Sequence, residues 1–504
     1  MKKIVIIGGG IAGLTAGIFA IKNNFEPIIL EKNSIVGGEC TGWDREGYHI
    51  DGCIHWLVGT KEGTPIRNLW DAVGALKSVE IYEPESFMSF DYKNHRVHFY
   101  RDLKRMEKSW LEISPADEEA IKEFCNDISK LHNFNFPVAK PMDLMNIFEK
   151  IKFMFSMKDI GPLMNKYGKL RLTELADKFK HPALRAAIGS FLPAGDYSAI
   201  SVIFPLGTFT GGQSSIPMGG SKAMAMRMLE YYKSLGGIVE TNCEVVSVDI
   251  DESKVLSVKG KNDQVYTGDY FVAALDAKEL FSKLLEGEYN DKAFEKRFRN
   301  ISDYPLASNI YIGISYKGEI KNLPRTLKFP VNDVNIHQNN KKLEYLQMTH
   351  YGYESDFAPE GHTAITVAIN QFETELDWWE KLCENKSLYE KEKVRIGAEV
   401  IKAIENQIPS MKDQLKVLDV ATPQTYVRYC NAYRGAFMGF WPTINGKEMQ
   451  HIGNIKGLDN IFLSGQWLQP PGGLPTALIT GKDTIMRLCK KEGLKFQQNL
   501  VVNK

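Results

Sequence analysis

The chain begins with glycines whose spacing lets phosphate groups approach the backbone. An apolar run at residues 4–7 leads into Gly8, Gly10 and Gly13, and a helical pattern follows. Gly8 permits a tight turn, Gly10 lets a pyrophosphate approach the main chain, and Gly13 lets the helix pack closely on the strand. Glycine clusters are common in turns, so this spacing needs support from the elements on either side of it.

The flanking elements supply that support. The helix begins near Ile11 and Ala12, where free N–H groups and the positive end of the helix dipole face a bound phosphate. A second apolar strand, at residues 27–30, ends at Glu31, whose carboxylate can accept hydrogen bonds from a ribose hydroxyl. Strand, glycine turn, helix and acid together predict a βαβ unit that binds a dinucleotide.

A targeting segment is the main alternative for the same residues. Lys2 and Lys3 precede an uncharged stretch that reaches Ile21, as in a signal peptide or a membrane span. The glycines in the middle of that stretch weaken an apolar core, and no small-residue cleavage site follows. The dinucleotide interpretation is therefore favoured.

Composition narrows the class of protein. The 504 residues suffice for two or three domains, and 62 basic side chains balance 62 acidic ones. A chain without net charge has no overall field that would favour nucleic acid. The 7 cysteines include no Cys-x-x-Cys pair, which indicates reduced thiols and no disulfide framework, metal site or iron–sulfur cluster. These features predict a cytoplasmic protein, or one at the cytoplasmic face of a membrane.

Dinucleotide signals recur in three separated blocks. They predict a discontinuous cofactor domain built from residues 1–90, 211–289 and 421–504. Residues 91–210, mostly helical in pattern, and residues 290–420, which begin with alternating strands, then form a substrate domain inserted twice. The fold class that follows is α/β, with a two-part Rossmann-like cofactor domain and an inserted α+β substrate domain.

Three further segments carry expectations of their own. Ser114 and Pro115 predict a helix start with Ser114 as the N-cap residue, and residues 388–407 predict a long charged helix that ends before Pro409. Bulky apolar residues mix with lysines at 147–158. That segment can rest on an anionic membrane surface; the alternative is a helix packed on the substrate domain with its lysines in water.

Together these motifs resemble one family across nearly the whole chain. The matching segments lie at residues 8–13, 31–32, 37–38, 47–52, 217–220, 422–423, 433–439 and 460–477. In this order they are similar to the FAD-dependent phytoene desaturases, carotenoid isomerases and retinol saturases, and more distantly to flavin amine oxidases. The resemblance implies a glutathione-reductase-like FAD fold with FAD as the cofactor. It implies cofactor contacts at Gly8, Gly10, Ile11, Ala12, Gly13, Glu31, Lys32, Gly38, Glu39, Val245, Gly465, Gln466, Gly473, Leu474 and Pro475.

Two of the matching segments have specific expectations. In a two-part flavin-binding domain, the strand at residues 244–248 lies over the adenine, where the backbone at Val245 can pair with the ring edge. A plain αβ unit without ligand contact explains the same pattern. The last segment ends a buried strand at Gly465 and begins a helix near Pro475, whose N–H groups can stabilise negative charge on a reduced flavin.

Three residues depart from the family pattern and indicate which branch of the family the chain resembles. Glu39 stands where amine oxidases usually carry arginine, Gln466 where an acidic or small residue is frequent, and Arg434 where glycine is common. Backbone groups make most FAD contacts, so these changes leave the cofactor assignment intact. They favour a saturase-like, isomerase-like or unassigned branch over a true carotene desaturase.

The resemblance implies an FAD-dependent oxidoreductase acting on carbon–carbon bonds of a hydrophobic unsaturated substrate. Such a substrate is a carotenoid, a retinoid or an unsaturated lipid, and the reaction is desaturation, saturation or isomerisation. No second Gly-x-Gly-x-x-Gly follows a strand, so electrons pass to or from a transient partner. The alternatives are a non-redox flavin isomerase or hydratase, an amine oxidase-like enzyme and, less favoured, a binding protein like the Rab GDP-dissociation inhibitors.

The residue that handles the proton is the least determined. His55 follows Asp51, which we expect to hold backbone N–H groups or the cofactor, and an imidazole suits acid–base work. The alternative is a histidine that fixes its own loop. Tyr433 and Arg434 lie in a segment similar to the family's substrate-side wall. Arg434 binds a substrate carboxylate or an anionic flavin in one interpretation, and forms a structural salt bridge in the other.

Overall fold

The computed structural model describes residues 1–158, 160–193, 197–332, 334–335, 343–441, 443–447 and 449–499. Its strands are β1 (Lys2–Ile7), β2 (Phe25–Leu30), β3 (Gly42–Arg45), β4 (Tyr48–Asp51), β5 (Leu57–Val58), β6 (Ile81–Tyr82), β7 (Ser86–Tyr92), β8 (His95–Tyr100), β9 (Ser214–Pro217), β10 (Ile238–Glu240), β11 (Val245–Asp251), β12 (Lys254–Gly260), β13 (Val265–Thr267), β14 (Tyr270–Ala273), β15 (Ser308–Tyr316), β16 (Thr326–Pro330), β17 (Tyr345–His350), β18 (Thr363–Gln371), β19 (Leu415–Ala421) and β20 (Ile461–Leu463). Its α-helices are α1 (Ile11–Lys22), α2 (Pro65–Ala72), α3 (Leu103–Ile113), α4 (Glu118–Ser129), α5 (Ile147–Ser156), α6 (Ile160–Tyr167), α7 (Leu172–Ala176), α8 (Pro182–Gly189), α9 (Ile200–Thr210), α10 (Gly220–Ser234), α11 (Ala277–Glu279), α12 (Lys292–Arg299), α13 (Glu373–Leu382), α14 (Lys386–Gln407), α15 (Pro423–Cys430) and α16 (Leu474–Lys491).

A five-stranded parallel sheet carries the glycine-rich turn. Its strand order is β10-β2-β1-β14-β20, so β1 lies at the centre. The side chains of β1 are buried from Ile4 to Ile7, as expected for a parallel strand covered on both faces. Helices α1, α10 and α16 contribute to the core on one side, and the antiparallel sheet β11-β12-β13 contributes to the core on the other. The carboxyl ends of β1, β14 and β20 therefore meet at one edge.

A second sheet has seven strands in the order β19-β15-β18-β17-β16-β7-β8. All its pairs are antiparallel except β16 with β7, which is parallel. Helices α13 and α14 pack on it, with Trp379 fully buried between them and the strands. A separate core joins β7 and β8 to the helices between α3 and α9.

The predicted boundary at residue 90 falls inside β7, which belongs entirely to the seven-stranded sheet. Likewise β19 belongs to this sheet and ends at Ala421, where the third predicted block begins. The division of the chain into two domains otherwise stays a prediction.

The predicted helix start at Ser114 is wrong in its details. Pro115 begins a short 3-10 turn, Pro115–Asp117, and α4 follows it at Glu118. The Ser114 hydroxyl donates to the Asp117 carboxylate (2.8 Å) instead of accepting from a helix N–H. The carboxylate also accepts from the backbone of Lys180 (2.6 Å), so a long-range contact competes with the local cap.

The long charged helix forms as α14 and begins two residues earlier than the pattern indicates. Its N-cap is Asn385, whose side chain accepts from the N–H of Leu388 (3.1 Å). Within the described residues, every helix is too short or too polar to cross a bilayer.

Candidate functional site

Two glycines of the first turn are required by the packing of the chain itself. Gly8 has φ +102°, a conformation that favours glycine, and its N–H donates to the carbonyl of Leu30 (2.8 Å). A Cβ atom on Gly13 would lie 1.9 Å from the carbonyl oxygen of Gly8. These positions close the turn between β1 and α1 and set the start of the helix.

Gly10 differs, because nothing in the chain requires it to be glycine. Its φ of −71° is open to any residue, and a Cβ there would meet no atom closer than 3.9 Å. A Cβ on Gly38, Gly465 or Gly473 would likewise meet nothing closer than 3.4 Å, although the positive φ of these three favours glycine. Bare backbone with open space beside it is what a pyrophosphate needs for close approach. The residues present therefore fit a dinucleotide.

Glu31 lies at the end of β2 and is 4% exposed. One carboxylate oxygen accepts from the N–H of Gly9 (2.8 Å), and the other accepts from the N–H of Asn33 (2.8 Å). The carboxylate is thus held against the glycine turn, where it would accept from the ribose of FAD. Lys32 points elsewhere: its ammonium donates to the carbonyl of Arg428 (3.0 Å) and to the side chain of Asn431, which follows α15.

Val245 begins β11, two residues after Cys243, where the chain lies against Glu31 in space. The N–H of Cys243, two residues earlier, donates to the carbonyl of Glu31 (2.8 Å). Adenine contact at Val245 stays a prediction, and this neighbourhood supports it.

The C-terminal motif meets the first helix. Gly465 follows β20, and its missing side chain would lie 3.9 Å from the Cβ of Ala12 in α1. The N–H of Gly465 donates to the hydroxyl of Thr480 in α16 (3.0 Å). Helix α16 begins at Leu474, with Pro475 in its first turn, as the sequence predicts. Helices α1 and α16 thus both contact Gly465, and a bound FAD would lie at this junction.

Gln466 connects three segments of this site. Its amide Nε2 donates to the Glu39 carboxylate (3.2 Å) and to the carbonyl of Phe437 (3.4 Å), while its Oε1 accepts from the N–H of Gly473 (3.1 Å). Burial raises the pKa of Glu39 to about 8, against the Gln466 hydrogen bond, which lowers it. A protonated Glu39 would add no negative charge to the predicted cofactor site, so this glutamate is compatible with FAD there.

Sequence reasoning missed Asp276, which lies just beyond β14. It is 8% exposed, and its carboxylate accepts from the N–H groups of Lys278 (2.7 Å), Glu279 (3.1 Å) and Tyr433 (3.0 Å). Burial raises the pKa of Asp276 to about 6, against the three hydrogen bonds. The sequence signal was an acid three residues after a buried strand of the parallel sheet, and helix α11, only three residues long, was too short to recognise.

His55 lies under a tightly bonded loop. Asp51 accepts from the N–H groups of Ser221 (2.8 Å) and Cys53 (3.1 Å), so it holds backbone as expected. The Nδ1 atom of His55 is buried without a hydrogen-bond partner. Burial, helped by the charge of Arg325, lowers the pKa of His55 to about 4. The imidazole is therefore neutral at neutral pH, with one nitrogen open to a ligand.

Carboxylates of the chain itself already engage the guanidinium of Arg434. Its guanidinium binds the carboxylate of Glu373 (2.5 Å) and that of Asp377, and it donates to the Glu373 carbonyl (3.0 Å). Its φ of +56° lies in the left-handed region, which favours glycine. The geometry favours the structural salt bridge.

Tyr433 lies beside Arg434 and packs on Phe298, with ring centroids 5.4 Å apart. The cavity next to both residues measures about 10 Å³, room for about one water molecule. None of the hydrogen bonds, ion pairs or ring contacts of these two residues in the described part of the chain involves His55. Their role as catalytic residues stays a prediction.

Comparison with known proteins agrees with this geometry. Residues 11–484 match the family described as flavin containing amine oxidoreductase. The chain belongs to that family. Its cofactor is therefore FAD, its fold is the flavin amine oxidase-like FAD-binding fold, and it is an FAD-dependent oxidoreductase.

Curated relatives align with this chain over nearly its whole length. Prolycopene isomerase of Arabidopsis thaliana is 22% identical and covers 99% of this chain and 84% of its own length. All-trans-retinol 13,14-reductase of Danio rerio is 21% identical, with 96% and 86% covered. The 1-hydroxycarotenoid 3,4-desaturase of a Flavobacterium species is 23% identical, with 96% and 98% covered.

Solved structures show the same fold. An oxidoreductase from Methanosarcina mazei is 16% identical, with a TM-score of 0.61 over 96% of this chain and 100% of that one. Wild-type putrescine oxidase bound to putrescine is 14% identical, with a TM-score of 0.59 over 97% and 99%. At this identity the likeness concerns the fold alone.

Proposed function

We propose that this oxidoreductase adds hydrogen to, or removes it from, a carbon–carbon bond of a hydrophobic unsaturated substrate. The relatives named for isomerase, reductase and desaturase activities align across nearly the whole chain, and this alignment supports the proposal most directly. When bound, FAD supplies hydride exchange with a substrate carbon. The residues of the chain would hold the cofactor, orient the substrate and handle the proton.

An aromatic wall next to His55 suits a polyene or an acyl chain. Trp56 is 40% exposed, and its ring packs on Phe87 with centroids 4.8 Å apart. Phe87 in turn packs on Phe191 (5.5 Å) and Phe209 (5.4 Å). An exposed indole at the edge of a buried aromatic cluster gives an unsaturated chain a flat apolar surface. We propose that the substrate lies against Trp56.

His55 is the candidate for proton handling. Its neutral ring has a buried nitrogen free to accept a hydrogen bond or a proton, and it adjoins the proposed apolar wall. Tyr433 and Arg434 have no part in the proposed chemistry, because none of their hydrogen bonds, ion pairs or ring contacts in the described part of the chain involves His55 or Trp56.

We also propose that α5 rests on a membrane surface. None of its residues is buried, and its N-terminus is closed by a capping box between Asn146 and Glu149. Phe148, Met154 and Phe155 are 72–79% exposed. Exposed lysines within and just after the helix complete an amphipathic surface suited to anionic lipid: Lys150, Lys152 and Lys158. A location at the inner face of a membrane would give access to a lipid-soluble substrate.

An anaerobic titration tests the proposed reaction class. Photoreduced holoenzyme is mixed with polyenes and unsaturated lipids, and oxidised holoenzyme with polyenes and with amines, while the flavin spectrum is followed. We expect unsaturated compounds to reoxidise the reduced flavin or to reduce the oxidised flavin, and amines to leave it unchanged. Reduction by an amine such as putrescine, without any response to unsaturated compounds, would establish the amine oxidase alternative instead.

A further inference from the structure

A buried guanidinium without a carboxylate partner lies beside His55. Arg325 directly precedes β16 and is 7% exposed. It donates to the carbonyl of His55 (3.0 Å) and to the hydroxyl of Thr326 (3.3 Å). Its Nε–H is buried and has no hydrogen-bond partner. None of the ion pairs among the residues that the structure describes includes Arg325, although a guanidinium stays charged in proteins.

The ring side chains around Arg325 are neutral. The ring of Tyr353 lies 5.8 Å from the guanidinium and stacks on Tyr82, with centroids 4.0 Å apart. Burial, together with the Arg325 charge, lowers the pKa values of His55 and His350 to about 4, so both rings are uncharged at neutral pH. A buried cation among neutral groups is costly unless an anion joins it.

The acid of this region does not supply that anion. Asp51 accepts from the N–H and the hydroxyl of Ser221 and from the N–H of Cys53. Both of its oxygens are thereby used on α10 and on its own loop. Among the described residues none accepts from the Nε–H of Arg325, so this donor stays unpaired within the chain.

We propose that Arg325 binds the carboxylate of the substrate. A guanidinium offers parallel N–H groups that match a carboxylate, and Trp56, which follows His55 in the chain, begins the apolar wall for the rest of the molecule. This inference rests on the proposed hydrophobic unsaturated substrate and specifies that this substrate is a carboxylic acid. The substrate is then a polyene or unsaturated lipid acid, with its carboxylate at Arg325 and its chain along Trp56 and Phe87.

Binding to oxidised holoenzyme tests the proposal without any turnover. The probes are all-trans-retinoic acid, its methyl ester and sodium acetate, and binding is followed by quenching of tryptophan fluorescence and by the flavin spectrum. The variants are Arg325→Met and Arg325→Lys. Arg96→Met is the control, because the guanidinium of Arg96 has its own carboxylate in Asp91 (2.6 Å).

We expect the wild-type protein to bind the acid at least about tenfold more tightly than the ester, with acetate far weaker. Arg325→Met should remove that preference and leave the ester unchanged, Arg325→Lys should keep part of it, and Arg96→Met all of it. If Arg325→Met does not fold, judged by its FAD content, the partial loss of acid preference in Arg325→Lys tests the proposal instead. Equal binding of acid and ester by the wild type, no binding of either, or acetate as tight as the acid would overturn the proposal. The anaerobic titration, which includes neutral polyenes, tests the reaction class separately.

Discussion

The packing of the chain does not explain why residue 10 is a glycine. A methyl group there meets no protein atom closer than 3.9 Å, so Gly10→Ala should fold normally. The same methyl group would occupy space that the pyrophosphate of FAD needs. We expect FAD affinity to fall about 10- to 100-fold, corresponding to a steric cost of about 1–3 kcal/mol. Equilibrium titration of the FAD-free protein with FAD measures this loss.

Two alanine variants control that experiment. Gly161 in α6 also has nothing within 4 Å of its missing Cβ, and Gly161→Ala should leave FAD affinity unchanged and stabilise the fold by up to about 1 kcal/mol. Gly13→Ala places a methyl group 1.9 Å from the Gly8 carbonyl and should damage the fold itself. If Gly10→Ala binds FAD as tightly as Gly161→Ala does, the phosphate-loop assignment fails.

Arg434 combines backbone strain with ion pairing. Arg434→Met removes its bonds to Glu373 and Asp377 and keeps the left-handed backbone, so the free energy of unfolding should fall by about 1–3 kcal/mol. Arg434→Gly loses the same bonds but relieves the backbone, so it should be about 1 kcal/mol more stable than Arg434→Met. Urea unfolding measures both. A selective loss of acid over ester binding in Arg434→Met would show that the side chain serves the substrate after all.

Glu39 gives the FAD-free protein a pH dependence. Its folded-state pKa of about 8 exceeds the ordinary value of 4.5, so the folded chain keeps a proton that the unfolded chain releases. This contribution to stability is fully present below about pH 4.5 and is lost as the pH rises through about 8. Glu39→Gln stays able to accept from Gln466 and should flatten the decline between those pH values.

Urea unfolding at several pH values checks this expectation. Glu62→Gln is the control, because the side chain of Glu62 is 89% exposed and should not alter the pH profile. Identical pH profiles for wild type and Glu39→Gln would mean that Glu39 is ionised in the folded protein, with a full charge beside Gln466.

Among the single helices and strands, α5 gives the most direct prediction. Joint substitution of Phe148, Met154 and Phe155 by serine removes the exposed apolar side chains, and each buried aromatic or Met side chain is worth about 1.5–3 kcal/mol. We expect binding to vesicles with anionic lipid to fall at least about tenfold, without change in FAD content or unfolding free energy. Vesicle co-sedimentation measures this.

Val394→Ser provides the matched control for α5, because Val394 is 73% exposed on the distant helix α14. Wild-type binding should also weaken with added salt, since the lysines of α5 contribute about 1 kcal/mol each at an anionic surface. Vesicle binding that survives the triple substitution would place the membrane contact elsewhere on the chain.

Local patterns explain why some elements were predictable. Residues 4–31 form one βαβ unit, in which each glycine and the acid act within about thirty positions of one another, so the glycine spacing together with its flanking strand, helix and acid specified the turn. Helix α16 was equally plain, because a proline follows a glycine-rich loop at its start. Ser114 failed for the opposite reason: Asp117, which it contacts, is itself held by residues more than sixty positions away.

Across the whole molecule, the site features that could not be predicted from the sequence depend on contacts between residues far apart in the chain. Gln466 meets Glu39 across 427 positions, and Arg325 meets His55 across 270. No periodicity records such pairs. Arg434 shows the same limit, since its sequence could not reveal that Glu373 and Asp377 already satisfy its guanidinium.

Redox exchange between FAD and a carbon–carbon bond is the central activity proposed for this enzyme. A single turnover of holoenzyme with an unsaturated substrate under anaerobic conditions, followed by mass spectrometry of the product, measures this directly. We expect a product that differs from its substrate by two hydrogen atoms, with one FAD reduced or oxidised for each molecule converted. A product of unchanged mass, formed while the flavin returns to its starting state, would contradict it and establish a non-redox isomerase.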